Sequence, residues 1–220
     1  LGLLYREVSV LQMTSLAEDR NVALAQVLKN VLGAPLNGLM AASVGQDASM
    51  LQESDESQAM QRGVKALMGG TAVVKIKIYN RLGVTIFSTD PSQVGESSLA
   101  NPGFKAALGG QVVSDLTRRD TLDTFEGVRS GIDLLATYIP IAGDAKAIEG
   151  VLELYQDVSP FMASLQRMLW IVTTVVAAVF ALLYLMQLLV VRRAQGILHD
   201  QAERIEAARS TLEIQVDART

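Results

Sequence analysis

The sequence predicts an α+β domain joined to a membrane-spanning helix, and three observations carry this. Residues up to Met68 have helical spacing, residues 71–155 alternate with the period of strands, and Met168–Val191 is a run of 24 residues without a formal charge. At 1.5 Å per residue that run is long enough to cross a hydrocarbon core of about 30 Å. Apolar residues occupy every face of it, whereas a surface helix of a soluble protein keeps a polar face.

The helical part divides in two. Leu11, Leu16, Val22, Leu24, Val27, Leu28, Val31 and Leu32 approximate a helical period, and Gly33-Ala34-Pro35 supplies a stop, which predicts one long helix over about 3–32. Leu1–Tyr5 reads equally as the outer end of an earlier spanning helix or as the first turn of an amphipathic one. The opening lacks an initiator Met, a basic segment and a small-residue cleavage site, so an internal fragment without its export signal is expected. A second helix is expected from about Glu53 to Met68, stopped by Gly69-Gly70.

The period then changes. Val74, Ile76 and Ile78 alternate with Lys75, Lys77 and Tyr79, which assigns the three apolar side chains to one sheet face. Residues 80–83, Asn-Arg-Leu-Gly, supply a turn before Val-Thr-Ile-Phe-Ser, so the pair reads as a hairpin. A loop at 90–96, a short helix at 101–110 and a third strand at 111–117 follow, then strands around Asp133–Ile139 and Ile148–Tyr155. A helix from about Ser159 runs into the apolar segment. The expected fold is a long N-terminal helix packed on one face of an antiparallel sheet of about five strands.

The stretch Val-Lys-Ile-Lys-Ile-Tyr-Asn-Arg-Leu-Gly-Val-Thr-Ile-Phe-Ser-Thr-Asp-Pro-Ser-Gln-Val-Gly-Glu, 74–96, resembles the hairpin of bacterial Cache domains, the PAS-like extracytoplasmic sensors. Residues 148–160 look like the closing strand of that fold and its connection to a membrane helix. The resemblance covers about residues 8–191. It implies a small molecule or ion bound on the sheet, and control of a histidine kinase, diguanylate cyclase or chemotaxis transducer. The sequence lacks the Tyr, Arg, Trp, Tyr, Asp set of many double Cache sensors, which leaves the ligand open.

Arg192 and Arg193 follow the apolar run directly, whereas its other end has only Arg167 near Asp157 and Glu153. The positive-inside rule then places residues 1–167 in the periplasm and 192–220 in the cytoplasm of a bacterial inner-membrane protein. Up to Arg167 the chain carries 14 Lys+Arg and 18 Asp+Glu, and from Arg192 five of each, so neither part has the basic stripe of a nucleic-acid binder. Cysteine is absent, which excludes disulfides, thiolate chemistry and cysteine metal sites. Leu198, Ile205 and Leu212 recur every seven residues, a heptad stripe that predicts a coiled coil and a homodimer, with a solitary solvated helix as the alternative. Residues 211–220 resemble the linker helix that precedes PAS or kinase modules, so the output domain is expected beyond Thr220. A histidine kinase leads, a diguanylate cyclase or chemotaxis transducer is the alternative, and a non-signalling membrane-anchored assembly protein is the reading from another class.

Catalytic, metal and cofactor roles find no support. His199 is the single histidine, so a histidine metal cluster or an extracytoplasmic Ser-His-Asp triad cannot be assembled, and 95–97 is no nucleophile elbow. Asp115, Asp120 and Asp123 surround an expected loop and lack the fixed spacing of a carboxylate pair. The better candidates cluster at Asp115, Thr117, Arg118, Arg119 and Asp120. Adjacent side chains on a strand point oppositely, so at most one arginine faces a pocket, where its planar fork suits a carboxylate ligand. Tyr79 and Tyr138 add rings with hydroxyls. For signal coupling the candidates are Tyr155, Asp157 and Pro160, where a strand gives way to a helix without a flexible linker.

Overall fold

The computed structural model describes residues 2–43, 47–124, 127–143 and 147–217, with side chains described from 7 to 193 within those limits. The chain divides into two units, Leu1–Leu165 and Gln166–Thr220.

The first unit is α+β. Its elements are α1 (Gly2–Ala42), α2 (Ala48–Glu53), α3 (Asp55–Met68), β1 (Val73–Asn80), β2 (Thr85–Ser88), α4 (Pro102–Leu108), β3 (Val113–Thr124), β4 (Gly127–Ala142) and β5 (Ile148–Asp157), followed by α5 (Ser159–Asp217). The strands form one antiparallel sheet in the order β2-β1-β5-β4-β3, so the first and last strands lie side by side near its centre.

Two expected boundaries shift. α1 continues through Pro35 to Ala42 instead of ending near Leu32, where the backbone leaves helical geometry at φ −108° and ψ 20°. A proline cannot donate to the carbonyl four residues back, and its ring crowds that carbonyl, so the helix kinks there. It resumes because Leu36 and Leu39 bury against the sheet, and burial of an apolar side chain is worth about 1.5–3 kcal/mol. The expected second helix is α3, which starts two residues later than expected, at Asp55, after Ser54, whose side chain accepts from the Ser57 amide; the short α2 precedes it.

The expected β1–β2 hairpin is present, with Lys77 opposite Ser88 and Ile78 opposite Phe87. β3 and β4 extend much further than the alternation suggested, pairing from Val113 with Tyr138 out to Thr124 with Gly127. Asp120 and Asp123, expected around a loop, therefore lie in the same strand as Asp115.

The two sheet faces differ. Ile76, Ile78, Ile139, Leu152 and Leu154 join Leu28, Leu32, Leu36 and Leu39 of α1 and Met60 and Val64 of α3 in the main core. Asn21 of α1 donates to the Thr137 hydroxyl at 2.9 Å, both groups buried, which fixes the helix against β4. An irregularity between Val73 and Lys75 changes the alternation. Val73 joins the α1 side, while Val74 packs with Ile132 and Leu134 on the opposite face, not with Ile76 and Ile78 as expected.

α5 begins at Ser159 as expected, and its segment Ser159–Arg193 is long and apolar enough to cross a membrane, containing an 18-residue window with a mean hydropathy of 2.5. Every side chain from Trp170 to Arg193 is exposed, including Phe180, Leu182, Leu185 and Leu189. In water such a surface is unfavourable; in a hydrocarbon layer it is matched. The coiled-coil stripe at Leu198, Ile205 and Leu212 lies outside the residues whose side chains are described, although the backbone there is helical to Asp217.

Candidate ligand-binding site

The sheet face opposite α1 is covered by the connection from β2 to β3, which includes a tight turn at Pro91–Gln93 and α4. Asn101 caps α4 through the Phe104 amide, and Asn101 also donates to the Tyr138 hydroxyl at 2.8 Å. Gly103 sits against the Tyr138 ring so closely that an added Cβ would lie 2.4 Å from it. Phe104 and Ala107 thereby reach Tyr79, Ala136 and Val151 as a second small core, with Tyr79 and Phe104 edge to face at 5.6 Å.

Two lysines of β1 are buried under this cover. Lys75 is 2% exposed and pairs with Asp90 at 3.3 Å, and Lys77 pairs with Glu96 at 3.4 Å. Burial pushes the Lys75 ammonium below the ordinary lysine range, with Asp90 offsetting part of that effect. Burial acts upward on the Asp90 carboxyl, yet it is held below the ordinary carboxylate range, because the Ser92 hydroxyl donates to it and Lys75 attracts its charge. Both acids belong to the covering connection, so each ion pair also ties that connection to the sheet.

Lys75 and Lys77 line a polar cavity of about 240 Å³ together with Gln93, Arg119, Thr121, Asp123 and Tyr155. The Gln93 side-chain oxygen is buried without a hydrogen-bond partner among the described residues, an acceptor that a donor entering from the cavity would satisfy.

Beside it, in register with Lys77 across the β1–β5 ladder, stands Glu153, 1% exposed. The Tyr79 hydroxyl donates to one of its oxygens and the other has no partner among the described residues. Tyr79, Tyr138 and Tyr155 surround this carboxylate. Burial first, and the Glu153 charge second, push all three phenols well above the ordinary range, so they stay neutral donors.

The sequence candidates separate. Arg119 lines the cavity, whereas Arg118 points to the other face and pairs loosely with Asp133 at 3.7 Å, its side chain 70% exposed. Asp120 is exposed and does not line the cavity. Tyr79 and Tyr138 flank the buried Glu153 rather than the cavity itself. Lys75, Lys77, Gln93 and Glu153 were not among the sequence candidates. Their signal was a lysine pair and a glutamate embedded in the most apolar strands of the sheet.

The coupling candidates fall on one path. Tyr155 lines the cavity, and two residues on, Asp157 accepts from the Ser159 amide at the start of α5 while pairing with Arg129 at 3.2 Å. The Asp157 amide donates to Ala72, the Val158 amide to Asp133, and the Asp133 amide to the Ser159 hydroxyl. Pro160 occupies the first turn of α5.

No family model and no curated protein matches this chain. Among solved structures, it is similar to the sensor domain of the V. cholerae histidine kinase DctB at 17% identity and a TM-score of 0.43, covering 71% of this chain and 57% of that one. It is also similar to the E. coli DcuS sensor domain (12% identity, TM-score 0.38, 64% of this chain and 98% of that one). The periplasmic domain of RsbU from Chlamydia trachomatis is a third (14% identity, TM-score 0.37, 74% and 56%). The chain thus spans less than two thirds of the DctB and RsbU chains.

Proposed function

We propose that this chain is the extracytoplasmic ligand-sensing and transmembrane signal-transducing part of a bacterial receptor, and that its ligand is a small anion held at Lys75, Lys77 and Arg119. The observation that carries this reading is the polar cavity under the β2–β3 connection, where two buried ammonium groups and an arginine converge. Buried amines are costly to leave without counter-charge, and the present partners, Asp90 and Glu96, both belong to the β2–β3 connection. A ligand carboxylate competes with Glu96 for Lys77 and accepts from Arg119, which has no ion pair among the described residues. That exchange loosens one tie of the cover while the ligand makes another.

β5 carries the change outward. Tyr155 at the cavity and Asp157 at the helix start are two residues apart on one strand face, so displacement at one is displacement at the other. α5 then leads to the apolar segment and to residues 192–220, which we place in the cytoplasm on the Arg192-Arg193 pair. We assign a dimeric histidine kinase as the output, on the heptad stripe and the linker-like residues 211–220. The ligand shifts the signalling equilibrium only by its differential affinity for the two states.

Calorimetric titration of the chain in lipid nanodiscs with small mono- and dicarboxylates tests the site. One of these should bind; Lys77→Gln should weaken it by about 2–5 kcal/mol, the cost of truncating a buried charge-paired contact, and Arg119→Gln, at an exposed position, by about 1 kcal/mol or less. Binding that is unchanged in both variants refutes the assignment.

A further inference from the structure

We propose that the cleft between α1 and the sheet is a second binding site, on the face opposite the polar cavity, for a single-chain amphiphile with an anionic head. The core under α1 is not filled. A cavity of about 190 Å³ remains there, walled by Ala25, Leu28, Leu32, Val64, Ile78 and Leu152. A dry apolar cavity of roughly 150 Å³ is already enough to admit benzene, so this one takes a short run of hydrocarbon.

The cavity does not end blind. Lys29, Leu36 and Ile141 also line a neighbouring space of about 500 Å³, whose other walls include Asn37, Ser43, Asn80, Arg81 and Glu149. Hydrocarbon walls thus pass into amide, hydroxyl and charged groups along one side of α1, which is the polarity profile of a tail followed by a head. Lys29 stands at the junction. Its ammonium donates to the Ala142 carbonyl at 2.5 Å, and an ammonium has three donors, so it can serve a carboxylate as well. Lys29 and Arg81 against Glu149 give the head region a positive balance.

The wall over the cavity is also the weak part of α1. Leu32, where the helix is broken, and Leu36, just beyond Pro35, both face the cavity. With the carbonyl of residue 31 deprived of its helical donor, this stretch yields more readily than an unbroken helix, which gives a tail a way in.

Photo-crosslinking tests the proposal. The probe is a diazirine-bearing decanoate added to the full chain in zwitterionic phospholipid nanodiscs, with the labelled peptides mapped by mass spectrometry. Label is expected on residues 22–36 and 139–152, displaced by plain decanoate. Ala25→Trp, which fills the cavity, should lower that label at least about tenfold, the equivalent of about two methylenes kept from burial. Lys29→Glu, at an exposed position, should lower it about fivefold for decanoate but not for the matching decanol probe, which reports any loss of the cavity itself. Label confined to residues 168–191, or label on α1 unchanged in both variants, overturns the proposal.

Discussion

The most informative residues of this protein are the charged ones in its interior. Glu153 accepts from Tyr79 and is otherwise surrounded by neutral phenols. Tyr79→Phe deletes a donor to a buried carboxylate oxygen, which should lower the stability of the β1–β5 pair by about 1–3 kcal/mol. Hydrogen exchange of the β1 and β5 amides reads this directly, and Glu153→Gln in the same background should recover part of the loss. Asp90 gives a pH dependence. Its folded carboxyl lies below the unfolded value of about 3.9, so its contribution is complete above that pH and is lost as pH falls through the folded value. Exchange protection of residues 89–96 should therefore drop below about pH 4 in the wild type, and Asp90→Asn should flatten that dependence. At this scale the sequence was legible only in part. Alternation separated Arg118 from Arg119 in principle, and one of them does line the cavity. The burial of Lys75 and Lys77 was not legible, because a polar residue at an alternate strand position looks the same whether that face meets water or a covering connection.

The elements were more legible than their ends. Hairpin, short helix, closing strand and the start of α5 follow from local signals: turn residues at 80–83, the Asn101-Pro102 cap and the Ser159-Pro160 start. α1 defeated its local stop, since Gly33-Ala34-Pro35 was overridden by the burial of Leu36 and Leu39. β3 and β4 ran long because their outer halves are held by each other rather than by a core, and paired edge strands need no apolar alternation. The joint between β5 and α5 yields a prediction at this scale. Four backbone or capping hydrogen bonds at residues 133 and 157–159 tie it down. Inserting a flexible Gly-Ser segment after Asp157 should leave ligand affinity nearly intact and abolish the ligand response of the full-length receptor at matched expression. An undiminished response would sink this route and favour signalling by subunit association.

For the whole molecule, the sequence separates two solvents. One unit buries a large apolar core between its helices and its sheet, and the other exposes apolar side chains along a single helix. Composition made that division plain, because an uncharged run of 24 residues matches the thickness of a bilayer and leaves no polar face for water. It could not show that the sheet has a charged, roofed face, which depends on contacts between residues far apart in the chain. The central claim is that an anion enters under that roof and that the effect leaves through β5. Ligand-dependent hydrogen exchange of the chain in nanodiscs, with the carboxylate that binds in calorimetry, tests it most directly. Protection should change at residues 75–79, 89–96 and 117–123 and continue through 153–159. A ligand that binds while these segments keep their exchange rates, with changes confined to α1 or to residues 168–193, would contradict it.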